Sequence, residues 1–136
     1  MDDEYRPLYD RGLGLAEQFL GPAWAERVRR QDAPFGNELA QMIVALVYGG
    51  VWSRDGLSLR DRSLITLAVH IARERPEEMR IHIPVGLQNG LTREEIEELF
   101  IQVGAYAGFP AAANCNRVAQ EVFGEQDAAT SRGGDR

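Results

Sequence analysis

Glu78 and His82 are the side chains whose types and spacing best suit proton transfer. They lie four residues apart in segment 76–89, which opens with proline and ends before glycine, a pattern that predicts a helix. At about 100° per residue, Glu78, His82 and Asn89 fall within about 40° of one another and form one polar strip. Apolar residues flank the strip, so we expect it to be buried and Glu78 and His82 to be partners. The spacing fits a structural pair as well as a catalytic one.

His70 is the second histidine of the chain, and Glu74 follows it by four residues. The chain turns near residues 75 and 76, so an antiparallel hairpin would bring His70 to the height of His82. Two histidines and two carboxylates could then hold a metal ion. The helical wheel, however, places His70 opposite the apolar stripe of its helix. We therefore expect an exposed or subunit-interface His70 and predict no metal site.

Composition excludes several classes of function. The net charge of −6, without a basic cluster, disfavours nucleic acid or an anionic membrane as partner. All 15 basic residues are arginine, which excludes lysine Schiff-base chemistry and a P-loop. The single cysteine, Cys115, excludes an internal disulfide and a Cys-x-x-Cys pair, and we interpret it as a packing residue. The sequence shows no signal peptide and no run of about 18 apolar residues, so a cytoplasmic protein is expected.

The hydrophobic pattern is helical along most of the chain and predicts an all-α fold. The 136 residues suffice for one domain, placed at 1–124 and followed by a disordered tail at 125–136 that is rich in glycine, serine and charge. Spacings typical of capping boxes at Ser58 and Thr92 start two of the helices. The predicted helices cover 5–20, 22–31, 36–48, 59–74, 76–89, a segment from about 93, and 109–123, with a loop at 49–58.

Segment 74–113 resembles the core motif of the carboxymuconolactone decarboxylase family. The landmarks within it are Glu78 and His82 in E-M-R-I-H, Asn89-Gly90, the run 92–96, and Tyr106-Ala-Gly-Phe-Pro110. Upstream, segments 11–13, 19–21, 48–57 and 60–64 continue the similarity in order, so that it extends over about residues 5–123. A neighbouring AhpD-like branch carries Cys-x-x-Cys-x-x-x-His. Arg75 and Glu78 occupy those cysteine positions here, so thiol peroxidase chemistry is not expected.

The resemblance implies an AhpD-like helical domain of six to seven helices. It also implies a homo-oligomer, a trimer or hexamer, with sites near subunit interfaces. The activity it implies is that of a cofactor-independent carbon–carbon lyase, which decarboxylates a lactone or another carbonyl-activated carboxylic acid. A wide apolar face on helix 59–74, which includes Ile65 and Val69, favours association independently.

The resemblance also assigns roles to individual residues. His82 would lie in the active-site pocket as the proton donor or as the cation that faces developing charge. Glu78 would hold its ring and tautomer. The substrate carboxylate would bind Arg62 and Arg80, and the pocket walls would be Trp52 and Tyr106.

Two departures from the family pattern leave the substrate open. Family decarboxylases typically have glutamate where this chain has Gly50, and arginine where it has Pro84. Pro84 is expected to kink or locally unwind the helix next to His82. The hypotheses are therefore a decarboxylase for a larger or less acidic substrate, an isomerase or cyclase that uses the same His–Glu pair, and a non-catalytic ligand-binding paralogue.

Overall fold

The computed structural model describes residues 4–34 and 36–134, which contain helices and no strand. The all-α prediction is therefore confirmed. The chain divides into two compact units, one ending at Ser58 and the other starting at Leu59, a division that the sequence pattern did not predict. Among the helices described, none combines the length and the apolar character needed to cross a lipid bilayer.

The first unit contains α1 (Arg6–Leu20), α2 (Pro22–Arg29), α3 (Asn37–Met42) and a π-helix (Ile43–Trp52). α1 packs against the π-helix at very short range, because both elements have glycine at the crossing. A Cβ added to Gly12 would lie 2.0 Å from the carbonyl oxygen of Val44, and one added to Gly49 would lie 1.9 Å from that of Leu8.

The π-helix replaces the end of the predicted helix 36–48 and the start of the predicted loop 49–58. Two consecutive glycines normally end a helix. Here Gly49 instead lets the backbone of α1 approach, and the amide of Ser53 donates to the carbonyl of Tyr48 over 3.0 Å, which continues the wider helical turn. The packing between helices thus overrides the local preference of the glycine pair.

The second unit contains α4 (Leu59–Ala72), α5 (Pro76–Gln88), α6 (Arg93–Ala107) and α7 (Phe109–Gly133). The predicted apolar stripe of α4 is confirmed: Leu67 and Ile71 are fully buried, and Leu64 and Ala68 pack against the same core. The capping box at the start of α6 is also confirmed, because Thr92 and Glu95 exchange hydrogen bonds between side chain and backbone. α5 is helical from end to end and contains Pro84. Of the two expected effects of Pro84, local unwinding beside His82 is absent, and a kink stays a prediction.

α7 continues to Gly133, whereas the sequence pattern predicts a disordered tail from residue 125. The extra turns are held against the rest of the unit: the Arg93 guanidinium pairs with Asp127 at 2.8 Å and Arg80 pairs with Glu125 at 3.4 Å. These ion pairs join residues more than 30 positions apart, so the local composition does not reveal them. The last part of the predicted tail, residues 135–136, lies outside the described residues.

Candidate functional site

The site is built on the antiparallel hairpin of α4 and α5. The helices are joined by Arg73, Glu74 and Arg75, and Glu74 adopts the left-handed region with φ of 50°. The amide of Arg75 donates to the carbonyl of His70 over 2.9 Å. This short turn places the last turn of α4 beside the first two turns of α5.

Two side chains of α7 hold the turn between α4 and α5 in place through hydrogen bonds. The side-chain amide of Asn114 donates to the Glu74 carboxylate, and the buried thiol of Cys115 donates to the carbonyl of His70 over 3.9 Å. Burial raises the pKa of the Cys115 thiol, which disfavours the nucleophilic thiolate. Cys115 belongs to the buried core, in agreement with its prediction as a packing residue.

His70 and His82 stack on each other across the hairpin. Their ring centroids are 4.8 Å apart and their planes differ by 29°. Both side chains, like that of Glu78, are half-buried. The exposed alternative for His70 is absent in the single chain, because α5 docks against the face of α4 that the wheel placed away from the core. The subunit-interface alternative stays a prediction.

Glu78 completes a cluster with the two histidines. One ring nitrogen from each histidine and a carboxylate oxygen of Glu78 all lie within 4.8 Å of one another. The helix start at Pro76 places Glu78 in the first turn of α5, and His82 follows one turn later on the same face. The predicted proximity of Glu78 and His82 is therefore present, with His70 as a third member.

The electrostatics of the cluster favour neutral imidazoles. Burial lowers the pKa of His82 to about 4, assisted by the like charge of His70 and opposed by the carboxylate of Glu78. Burial also lowers the pKa of His70, again against the influence of Glu78. Burial thus favours the neutral form of both rings, in which one nitrogen of each carries a lone pair.

Asn89, the third member of the predicted strip, contacts the other end of the hairpin. Its side-chain amide donates to the Ser63 hydroxyl over 3.0 Å, and that hydroxyl donates to the carbonyl of Leu59 over 2.9 Å. Gly86 lies between the two polar ends, and a Cβ there would come 3.1 Å from the side chain of Leu91 and 3.4 Å from that of Leu67. Asn89 therefore helps to clamp the two helices together.

The two arginines predicted to bind substrate have different surroundings. Arg80 pairs with Glu121 and Glu125 on α7, and also approaches Glu77 at 3.8 Å. Its guanidinium is thus engaged with carboxylates of the protein itself. Arg62 is half-buried on α4, and its assignment to the substrate carboxylate stays a prediction.

The predicted pocket walls also differ. Trp52 is buried in the first unit, where its ring meets that of Phe19 edge-on at a centroid distance of 5.1 Å. Tyr106, at the end of α6, is 88% exposed in the single chain. Both assignments as substrate-contacting residues stay predictions.

Arg73 and Arg75 are residues near the site that the sequence reasoning missed. Both are exposed at the turn, and their charges lie close enough to lower the pKa of His70. Their signal in the sequence was their position just before and within the predicted turn near residues 75 and 76. Their guanidinium groups are forked cations of the kind that bind carboxylates.

Comparison with known proteins connects this hairpin to a family. The model of the carboxymuconolactone decarboxylase family matches residues 37–121, a range that includes all of α4, α5 and α6. His70, Glu78 and His82 all lie within the matched range.

Two named relatives are decarboxylases. The chain is 37% identical over 123 residues to 4-carboxymuconolactone decarboxylase of Acinetobacter baylyi, covering 90% of each protein. It is 30% identical over 124 residues to nitrosuccinic acid decarboxylase of Metarhizium robertsii, covering 91% of this chain and 87% of the relative. An uncharacterized 15.0 kDa protein of Paracoccus denitrificans is 31% identical over 134 residues, covering 93% of this chain and 98% of that protein.

Proposed function

Because this chain belongs to the carboxymuconolactone decarboxylase family, we propose that it decarboxylates a small carboxylic acid, with His82 as the proton-transfer residue. The supporting observation is the placement of His82. It is half-buried and lies one helical turn after Glu78. The hairpin that carries it is held by hydrogen bonds from α7 to the turn. A half-buried imidazole beside a carboxylate is suited to delivering a proton to a reacting carbon.

The names of the two decarboxylase relatives indicate a substrate class. One name denotes a carboxylic acid that carries a lactone, and the other denotes one that carries a nitro group. Both groups withdraw electrons and can accept the pair that is left when CO2 departs. The substrate class proposed for this chain is therefore a carboxylic acid that carries its own electron-accepting group, such as a lactone or another activated carbonyl.

The proposed reaction has two steps. The bond between the carboxylate carbon and its neighbour breaks, CO2 leaves, and the electron pair moves into the electron-accepting group. A proton then passes from the His82 imidazolium to carbon, which leaves neutral product carbon and neutral imidazole. Solvent returns the proton to His82 when the next substrate carboxylate binds beside the ring, so no oxidant or reductant is consumed.

Because the pKa of His82 is low, substrate binding must help to protonate its ring. With a pKa of about 4, the His82 ring is uncharged near neutral pH until substrate binds. A substrate carboxylate bound close to the ring favours the imidazolium, because an opposite charge raises the pKa of histidine. Glu78 acts in the same direction and would keep the ring in one orientation, while Arg73 and Arg75 would attract the anionic substrate.

The residues at positions 84 and 50 affect which substrate charge the site would favour. Arginine at 84 and glutamate at 50 are typical of decarboxylases of this family, and their absence removes one cation and one carboxylate. Removal of a cation disfavours a substrate with several carboxylates. We therefore propose that the substrate carries less negative charge than carboxymuconolactone.

Release of labelled CO2 tests this function. Purified protein is incubated with 4-carboxymuconolactone, with nitrosuccinate, and with lactone acids that carry a single labelled carboxylate. The expected result is CO2 release that is fastest for a monocarboxylic substrate and that is lost in His82→Asn. Rapid turnover of 4-carboxymuconolactone by the unchanged protein would refute the change of substrate and leave the decarboxylase assignment intact. Turnover of such acids without CO2 release would instead support an isomerase or cyclase.

A further inference from the structure

Three side chains with metal-binding atoms converge at the turn end of the α4–α5 hairpin. His70, Glu78 and His82 each offer one ligand atom, and these atoms lie within 4.8 Å of one another. Two imidazoles and one carboxylate form a donor set that suits zinc and other divalent first-row metals. We propose that these three residues form a binding site for a divalent transition-metal ion, for which Zn²⁺ is the reference.

The hairpin creates this donor set from two separate helices. His70 lies in the last turn of α4, whereas Glu78 and His82 lie in the first two turns of α5. Glu74 was the fourth ligand considered from the sequence, but its carboxylate accepts a hydrogen bond from Asn114. The set is therefore three residues, which leaves coordination positions for water or another small ligand, as in three-ligand zinc sites.

The spacing is close to what a metal ion requires. With metal–ligand bonds of about 2.1 Å, the ligand atoms lie about 3–4 Å apart. The observed separations are no greater than 4.8 Å, so the atoms must approach by at most about 1 Å. Rotations of three half-buried side chains can supply that movement, and the backbone positions are already fixed by the contacts of the turn with Asn114 and Cys115.

The charged side chains near the three ligands have opposite effects on cation binding. Glu78 contributes one negative charge beside the two imidazole rings, which favours a cation. Arg73 and Arg75 repel it, but both are exposed, so solvent and salt screen their charge. Direct bonds to three ligands at about 2 Å are the stronger interaction, because the arginines act only through solvent-screened charge.

Metal binding would exclude the proton-transfer role of His82. If the ring nitrogen that faces the cluster donates its lone pair to a metal ion, that nitrogen cannot carry the proton that decarboxylation needs. The metal-bound protein would thus be a distinct state in which decarboxylation is blocked. The metal site itself is independent of the proposed function, since it follows from the three ligand positions alone.

Calorimetric titration of the metal-free full-length protein with Zn²⁺ provides the test. The expected stoichiometry is one ion per chain. The ligand-field absorption of added Co²⁺ should report nitrogen and oxygen ligands in a site of low coordination number. Both readouts are independent of catalytic activity.

Two variants locate the site. His70→Leu removes one ligand while keeping an apolar side chain over His82, and should weaken Zn²⁺ binding by more than about 100-fold, because loss of even an outer-shell partner costs about 10- to 100-fold. Glu77→Gln is the matched control. It changes the exposed carboxylate next to Glu78 in the same helical turn, and Zn²⁺ binding should be unchanged. Circular dichroism confirms that both variants are helical.

Two results would overturn the proposal. One is Zn²⁺ binding well below one ion per chain in the unchanged protein. The other is binding to His70→Leu that is as tight as to the unchanged protein, which would place the ion elsewhere on the surface. Either result would leave the decarboxylase proposal standing, while absence of CO2 release with stoichiometric Zn²⁺ binding would leave only the metal site.

Discussion

The imidazole rings of His70 and His82 are stacked, with centroids 4.8 Å apart, although they belong to different helices and lie twelve residues apart in the sequence. The contact has an electrostatic consequence, because each ring disfavours a positive charge on the other. It also brings one ring nitrogen of each histidine close to the carboxylate of Glu78. The contact between these two residues thus adds to the effect of burial on the pKa of His82 and supplies two of the three ligands of the proposed metal site.

The first prediction concerns the catalytic pair. His82→Asn should lower kcat by about 100- to 10,000-fold, because a positioned proton donor contributes a factor of that size. Glu78→Gln should lower kcat less and leave KM nearly unchanged, since Glu78 acts on the imidazole and not on the substrate. Steady-state CO2 release measures both effects, with Glu77→Gln as the control. Full activity in either of the two site variants would exclude the assigned roles.

The second prediction concerns the pKa of His82. In metal-free protein kept with a chelator, NMR titration should show that His82 stays neutral down to a pH of about 4. The sign follows from burial, which penalises the charged form, so protonation requires more acid than for an exposed histidine. His70→Leu should raise this pKa toward its ordinary value, because it removes the like charge but not the burial. A His82 pKa that does not respond to this substitution would show that the two rings are not coupled.

The third prediction concerns the crossing of α1 and the π-helix. Gly12→Ala should lower the free energy of unfolding by about 1–3 kcal/mol, because the added methyl group would overlap the carbonyl of Val44. Gly14→Ala is the matched control in the same helix, since nothing lies within 4 Å of its added Cβ. It should be neutral or stabilising by up to about 1 kcal/mol. Denaturant unfolding measures both, and equal effects would contradict the close backbone contact.

The fourth prediction concerns assembly. Ile65 and Val69, four residues apart on α4, remain about half exposed in the single chain, as does Ile81 on α5. Such apolar surface favours association, so light scattering should give a multiple of 15.2 kDa, with a trimer or hexamer expected.

Val69→Glu should reduce that mass, because it would bury a charge in the contact. Gln102→Glu introduces the same charge at an exposed polar position on α6 and should leave the mass unchanged. A mass near 15.2 kDa for the unchanged protein at micromolar concentration would show that association is absent.

The sequence by itself determined the features that depend on local chemistry. Helical periodicity and proline and glycine positions located most of the helices, and the capping box at Thr92 marked the start of α6 within one residue. The same periodicity placed Glu78 and His82 on one face of α5. These features depend on residues within one or two turns of each other, so a single stretch of sequence contains the information.

Only the tertiary structure decided which distant residues meet. The wheel of α4 placed His70 away from the core, yet the docking of α5 covers that face and stacks His82 on it. The sequence makes Arg80 a candidate for the substrate carboxylate, and only the fold pairs its guanidinium with Glu121, 41 residues later. Gly49, at the start of the predicted loop 49–58, instead permits the close crossing of the π-helix with α1. Each of these outcomes depends on how whole helices pack against one another. A short stretch of sequence does not specify that packing, because the contacting residues are far apart in the chain.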